Sequence, residues 1–208
     1  METVGSLLAL GASFGFAAGV SPGPLTTLVL TTSLQRGFAS GARVALAPLM
    51  TDAPVILLSL LALGSLPASF LRFLSLAGGG FVCYLGLKTL MESQGASLTT
   101  TDTEGGPRDL WQGFAVNTLS PHPWLFWVAV GGPILFDAWQ KSPLHASAFL
   151  LGFFPLIVGC KMSIAWLAAR GRRYLKGPWY GRVLAVAGIQ LALLGIVLLW
   201  QAFETASP

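Results

Sequence analysis

Ser21-Pro22-Gly23-Pro24 and Ser120-Pro121-His122-Pro123 each set two prolines two residues apart within a long apolar stretch. Proline has no backbone N–H and its ring clashes with the preceding turn, so each string is expected to break a helix. Ser followed by Pro is also a helix-start signature, with the hydroxyl accepting a backbone N–H and the proline in the first helical position. Ser21 and Ser120 are therefore expected to open the second halves of two broken helices. The N–H groups of Gly23, Leu25, His122 and Trp124 are then left without intrahelical acceptors. A helix start carries about half a positive charge, so the pair could receive a carboxylate or another small anionic group. The plainer reading is two kinks whose freed groups are satisfied by neighbours or water. The candidate solute-binding residues are Ser21, Pro22, Gly23, Pro24 and Leu25 with Asn117, Ser120, Pro121, His122, Pro123 and Trp124.

Two charges accompany them. Asp52 and Lys161 stand within apolar spans, where a central charge costs ~2.5–3.5 kcal/mol on insertion scales and must face the protein interior. Three readings stand: a buried structural ion pair, a substrate or proton-coupling site, or Lys161 snorkelling to the surface. His122 can titrate in the physiological range, or serve as a neutral hydrogen-bonder at the second break. The Asn117 amide can satisfy carbonyls freed by that break or touch solute. Trp124 and Trp127 either wall a cavity or pack in the core.

The elements that must position these groups are membrane helices. Of the 208 residues 54% are hydrophobic and 10% charged, against about 25% charged in soluble domains. Residues 3–35, 110–136 and 183–203 contain no Asp, Glu, Lys or Arg, and ~20 apolar residues suffice to span a bilayer. Six spans are expected, over 4–34, 41–64, 67–90, 111–136, 144–169 and 182–203. A straight helix over 3–35 would reach ~50 Å, against a hydrocarbon core of ~30 Å, and a break at Ser21–Pro24 removes the excess. The first residues lack the basic region of a cleavable signal and read as part of the first span. Trp111, Trp139, Trp179 and Trp200 lie near span ends, as in an interfacial aromatic belt.

Charge orients the chain. Arg36, Arg43, Lys88, Arg108, Arg170, Arg172, Arg173, Lys176 and Arg182 follow spans one, three and five, with only Arg72 and Lys141 on the other side. Basic loops face the cytoplasm, so both termini are expected outside. Residues 92–109 are polar, rich in Gly, Ser and Thr, and read as a flexible cytoplasmic linker. They divide the chain into 1–91 and 110–208, with three spans each. Gly79…Gly86 in span three matches Gly188…Gly195 in span six, and Gly15-Phe16 and Gly113-Phe114 precede the two breaks at similar distances. An odd number of spans per unit makes the second copy upside down. The expected fold is an all-α membrane protein: six transmembrane helices as two inverted three-helix repeats, with helices one and four broken.

The Gly-Phe…Ser-Pro-Gly-Pro first helix, the Gln35-Arg36-Gly37-Phe38-x-x-Gly41 that follows it, and Leu76-Ala77-Gly78-Gly79…Tyr84-Leu85-Gly86-Leu87-Lys88 resemble the LysE family of amino-acid exporters over the whole chain. The resemblance implies a bacterial inner-membrane exporter, not an enzyme, that moves amino acids or similar small metabolites on a proton or ion gradient. Asp52 is similar in placement to the second-span aspartate of the family's basic-amino-acid exporters. The chain departs from the family in carrying Ser-Pro-His-Pro where Asn-Pro is usual, and in Lys161, whose charge would offset Asp52 and weaken the argument for a lysine or arginine solute.

The runner-up is a metal-ion or other small-ion exporter or channel, for which one Asp and one His are a thin ligand set. A thiol-redox carrier would need cysteines at the breaks, whereas Cys83 and Cys160 fall in spans three and five. The basic residues are divided among loops, so no nucleic-acid surface is expected. The expected partners are the lipid bilayer and a small solute, with no metal or cofactor. Oligomeric state is left open.

Overall fold

A computed structural model describes residues 3–61, 68–94, 105–172 and 178–204. All regular structure among these residues is helical. The first expected span is two helices, α1 (Val4–Val20) and α2 (Pro24–Arg36), bent by 59° at the break. A single residue, Gly37 at φ +86°, turns the chain into α3 (Phe38–Ala45), which continues as α4 (Ala47–Leu61). Residues 62–64 of the second span lie outside the described residues. The third element is α5 (Ala68–Gln94).

The second half opens with α6 (Gly106–Leu119) and breaks at Ser120 into α7 (Pro121–Phe126). A π-helical turn over Trp127–Gly131 follows, then α8 (Gly132–Lys141). Pro133 explains the π turn: it cannot donate to the previous turn, and the Gly132 N–H reaches back five residues to the Trp127 carbonyl. The last two helices are α9 (Pro143–Arg172) and α10 (Pro178–Glu204).

Two helical stretches, Phe38–Leu60 and Pro143–Arg172, are long and apolar enough to cross a bilayer alone, and the bent pair α1–α2 makes a third. Shorter apolar segments lie in α5 and α10, at Leu76–Met91 and Ala185–Val197. The stretch read as a linker is helical at both ends, since α5 runs to Gln94 and α6 begins at Gly106; residues 95–104 lie outside the described set. Pro107 in the first turn of α6 and Asp109 beside its positive end are ordinary helix-start chemistry that the polar composition of the segment concealed.

Small residues set the packing. Gly11, Gly15 and Gly19 form one stripe of α1 pressed against α9, where an added Cβ would overlap the backbone of Phe149, the backbone of Phe153 and the Cys160 side chain in turn. The register rises together, so α1 and α9 run parallel. Contacts of Val44 and Ala47 with Gly113, and of Thr51 and Asp52 with Asn117, likewise make α3–α4 parallel to α6. The pair α5 and α10 is antiparallel, with Gly79 against Gly195 and Gly86 against Gly188. The two glycine octets that match in sequence therefore pack on each other. Without a hydrophobic force between helices in lipid, such small-residue seams supply close van der Waals contact. Gly15→Val is expected to push α9 away and destabilise the protein by about 1–3 kcal/mol, read as a lower melting temperature in detergent, whereas Gly80→Val, on open surface, leaves it unchanged.

Candidate translocation site

The first break is built differently from the expected Ser N-cap. Ser21 ends α1, its N–H donating to the Ala17 carbonyl, and Gly23 is the residue that caps α2, extended at φ −177° with Pro24 behind it. Pro22 is the cause. It cannot donate to Ala18, so the chain stays extended through Gly23 and the second helix restarts at the second proline. Thr26 donates its hydroxyl back to the Ser21 carbonyl at 2.9 Å and bridges the gap. The N–H groups of Leu25 and Thr26, in the first turn of α2, have no intrahelical acceptor.

The break also exposes the carbonyl end of α1. Ala18 loses its partner to Pro22, and Gly19 loses its own because Gly23 is extended. Lys161 of α9 supplies the replacement: its ammonium donates to the Ala18 carbonyl at 3.4 Å, to the Gly19 carbonyl at 3.5 Å and to Thr26 Oγ1 at 2.9 Å. A buried ammonium at a helix C-terminus meets both freed carbonyls and the negative end of the helix dipole. Lys161 is buried and does not snorkel.

Asp52 has other partners. Thr51 Oγ1 donates to its Oδ1 at 3.2 Å, Asn117 Nδ2 to the same oxygen at 3.1 Å, and Trp127 Nε1 to Oδ2 at 3.2 Å. Asn117 also donates to Thr51 Oγ1 at 2.6 Å. The structural ion pair is therefore not formed: Asp52 and Lys161 are not within 4.0 Å of each other, and each is satisfied by its own neighbours. The physical reason is that each broken helix claims one of them. Asn117 spends its amide on Thr51 and Asp52, and it is Trp124, through Nε1, that donates to the Thr118 carbonyl at 2.9 Å and repairs the second break. Ser120 caps α7 without a side-chain bond to its backbone; its hydroxyl lies 3.3 Å from His122 Nδ1.

These groups surround one cavity of about 320 Å³. Of the residues singled out from sequence, Ser21, Pro22, Gly23, Pro24, Leu25, Asp52, Asn117, Ser120, His122, Pro123 and Lys161 line it. Pro121 and Trp124 are buried but do not line it. Sequence reasoning did not list Ala18, Thr26, Phe126, Phe153, Ile157 and Leu194. Phe153 and Ile157 precede Lys161 at intervals of four on α9, so the helical period counted back from the buried lysine would have found them. Trp127, fully buried, is the tryptophan that walls the cavity; Phe149 and Phe153 pack edge-on against its ring, with centroids at 6.5 and 5.2 Å, and fix the aim of its N–H at Asp52. The cysteines sit on different seams, Cys160 beside Gly19 and Cys83 of α5 against α10, where its thiol donates to the Ala192 carbonyl.

A bundle of apolar helices, interrupted twice at a polar cavity with a buried carboxylate and a buried ammonium in its wall, has the build of a membrane transport protein. The LysE type translocator family model matches residues 16–202, and the chain belongs to that family. It is similar to the chemotactic transduction protein ChpE of Pseudomonas aeruginosa, strain PAO1, with 29% identity over 191 residues that cover 88% of this chain and 91% of that protein. No solved structure gives a significant match.

Proposed function

We propose that this chain is a secondary exporter of neutral amino acids or similar zwitterionic metabolites, working by alternating access about the cavity and driven by a proton or ion gradient. The observation that carries this reading is the convergence of both broken helices, Asp52 and Lys161 on one pocket. The first turn of α2 offers N–H groups to a carboxylate, Asp52 faces an ammonium, and Phe126, Phe153 and Ile157 offer an apolar wall for a side chain. Lys161 puts a positive charge in the same pocket and disfavours a lysine or arginine solute. Asp52 is also the group through which a proton or cation gradient would be coupled.

An inverted repeat of six spans, 1–91 and 110–208, is part of the proposal, and the packing supports it. Span five, through Lys161, serves the break in span one, and span two, through Asp52 and its Asn117 partner, meets the broken span four. Exchange of the halves turns the first relation into the second, and both helix pairs run parallel. The proposed setting is a bacterial inner membrane with both termini outside, argued from the basic loops. Among the described residues no three His, Cys, Asp or Glu side chains come together.

The test is efflux from proteoliposomes loaded with single radiolabelled amino acids under an imposed proton gradient. Neutral apolar amino acids are expected to leave faster than from empty-membrane controls, with lysine at least about tenfold slower. Efflux at control rates for every neutral amino acid sinks the proposal.

A further inference from the structure

About one helix length from the cavity lies a second polar cluster that the transport reading leaves unused. Asp109, in the first turn of α6, is fully buried. Arg36, the last residue of α2, meets its Oδ1 at 2.7 Å, and Arg43 of α3 stands 3.6 Å from Oδ2. Arg36 also donates to Gln112 Oε1 at 3.3 Å. Glycines shape both sides of the cluster. Gly37, at positive φ, turns the chain between the two arginine-bearing helices, and Gly105 leaves the room that the Asp109 carboxylate fills.

The ten helical steps of α2 from Thr26 in the cavity wall to Arg36 span ~15 Å. That interval is packed dry by Leu28, Val29, Val44, Val116 and Ala165, none more than 4% exposed. The exposed members of the cavity lining, Ser21, Pro22 and His122, lie toward the opposite end of α2 and α6. The cavity is thus closed toward the end that bears Arg36, Arg43 and Asp109, which the charge bias makes cytoplasmic. A buried ion pair adds little net stability over an apolar contact of the same size, so a permanent seal had no need of one. Its partners can, however, exchange each other for water when helices part, which suits a contact that opens.

We propose that Asp109, held by Arg36 and Arg43, is the latch of the cytoplasmic gate: solute reaches the cavity from that side only when these ion pairs part and α2–α3 separates from α6. The proposal rests on the alternating-access reading, but opening can be measured with no solute present, so the two can fail separately.

The experiment uses the full chain in inside-out vesicles, with the native cysteines replaced and Val116→Cys as reporter, labelled by a membrane-impermeant maleimide. Asp109→Asn is expected to raise the labelling rate at least tenfold, and the milder Arg43→Gln, whose side chain is one-third exposed, to raise it less. Cys83, labelled in parallel in a protein that keeps it, reports the α5–α10 seam and is expected to stay unchanged. A reporter rate unchanged in both variants overturns the latch. So does an equal rise at Cys83, which would mean general loosening. Should Asp109→Asn not fold, Arg43→Gln decides by the same two readings.

Discussion

Asp52→Asn is expected to lower solute export at least ~100-fold while the protein still folds. A carboxylate has about four acceptor sites, and Thr51, Asn117 and Trp127 occupy three of them. The remaining capacity faces the cavity that Asp52 lines and is where a solute ammonium would bind. Asparagine removes that charge and converts one acceptor oxygen into an NH₂ group. Whichever way the new amide turns, its NH₂ meets existing donors, either Trp127 Nε1 or the Thr51–Asn117 pair. Truncating one member of a buried charge pair costs ~2–5 kcal/mol, and about 2.8 kcal/mol is already a hundredfold. Efflux from loaded proteoliposomes, read beside the melting temperature in detergent, separates transport from stability. An Asn variant that exports within threefold of the parent protein would remove Asp52 from the solute path.

Local physics was legible in the sequence and long-range partnership was not. Pro22 and Pro121 break their helices through the loss of a backbone donor, a rule that needs no tertiary context, so both breaks fall where the sequence places them. The position of the cap did depend on context: Gly23 takes it from Ser21, because the chain stays extended past Pro22 until Thr26 ties it back. That Asp52 and Lys161 face the interior follows from cost alone. Their partners follow from which orphaned groups lie opposite, and Ala18 and Lys161 are more than a hundred residues apart. Asp109 is the clearest miss. In a run of Gly, Ser and Thr it reads as a solvated linker charge, and Arg36 and Arg43 read as loop charges that merely orient the chain. Only the approach of α2 and α3 to α6 turns three apparently exposed charges into one buried cluster.

Lys161 has two duties in one atom, and a pair of substitutions should separate them. The ammonium repairs the carbonyl end of α1 and places a positive charge in the pocket. Lys161→Met removes both. Two freed carbonyls then face an apolar side chain, at about 1–3 kcal/mol for each buried group left unpaired, and the expected result is a large fall in melting temperature with loss of all export. Lys161→Gln keeps N–H donors for the carbonyls and Thr26 but discards the charge, so the fold is expected to survive. A cavity of about 320 Å³ has an edge of ~7 Å, and like charges that far apart at an effective dielectric of ~20 repel by about 2 kcal/mol. Relief of that repulsion raises lysine efflux relative to leucine roughly thirtyfold in the Gln variant. An unchanged lysine-to-leucine ratio in a well-folded Gln variant would mean that the ammonium repairs the helix and does nothing to select the solute.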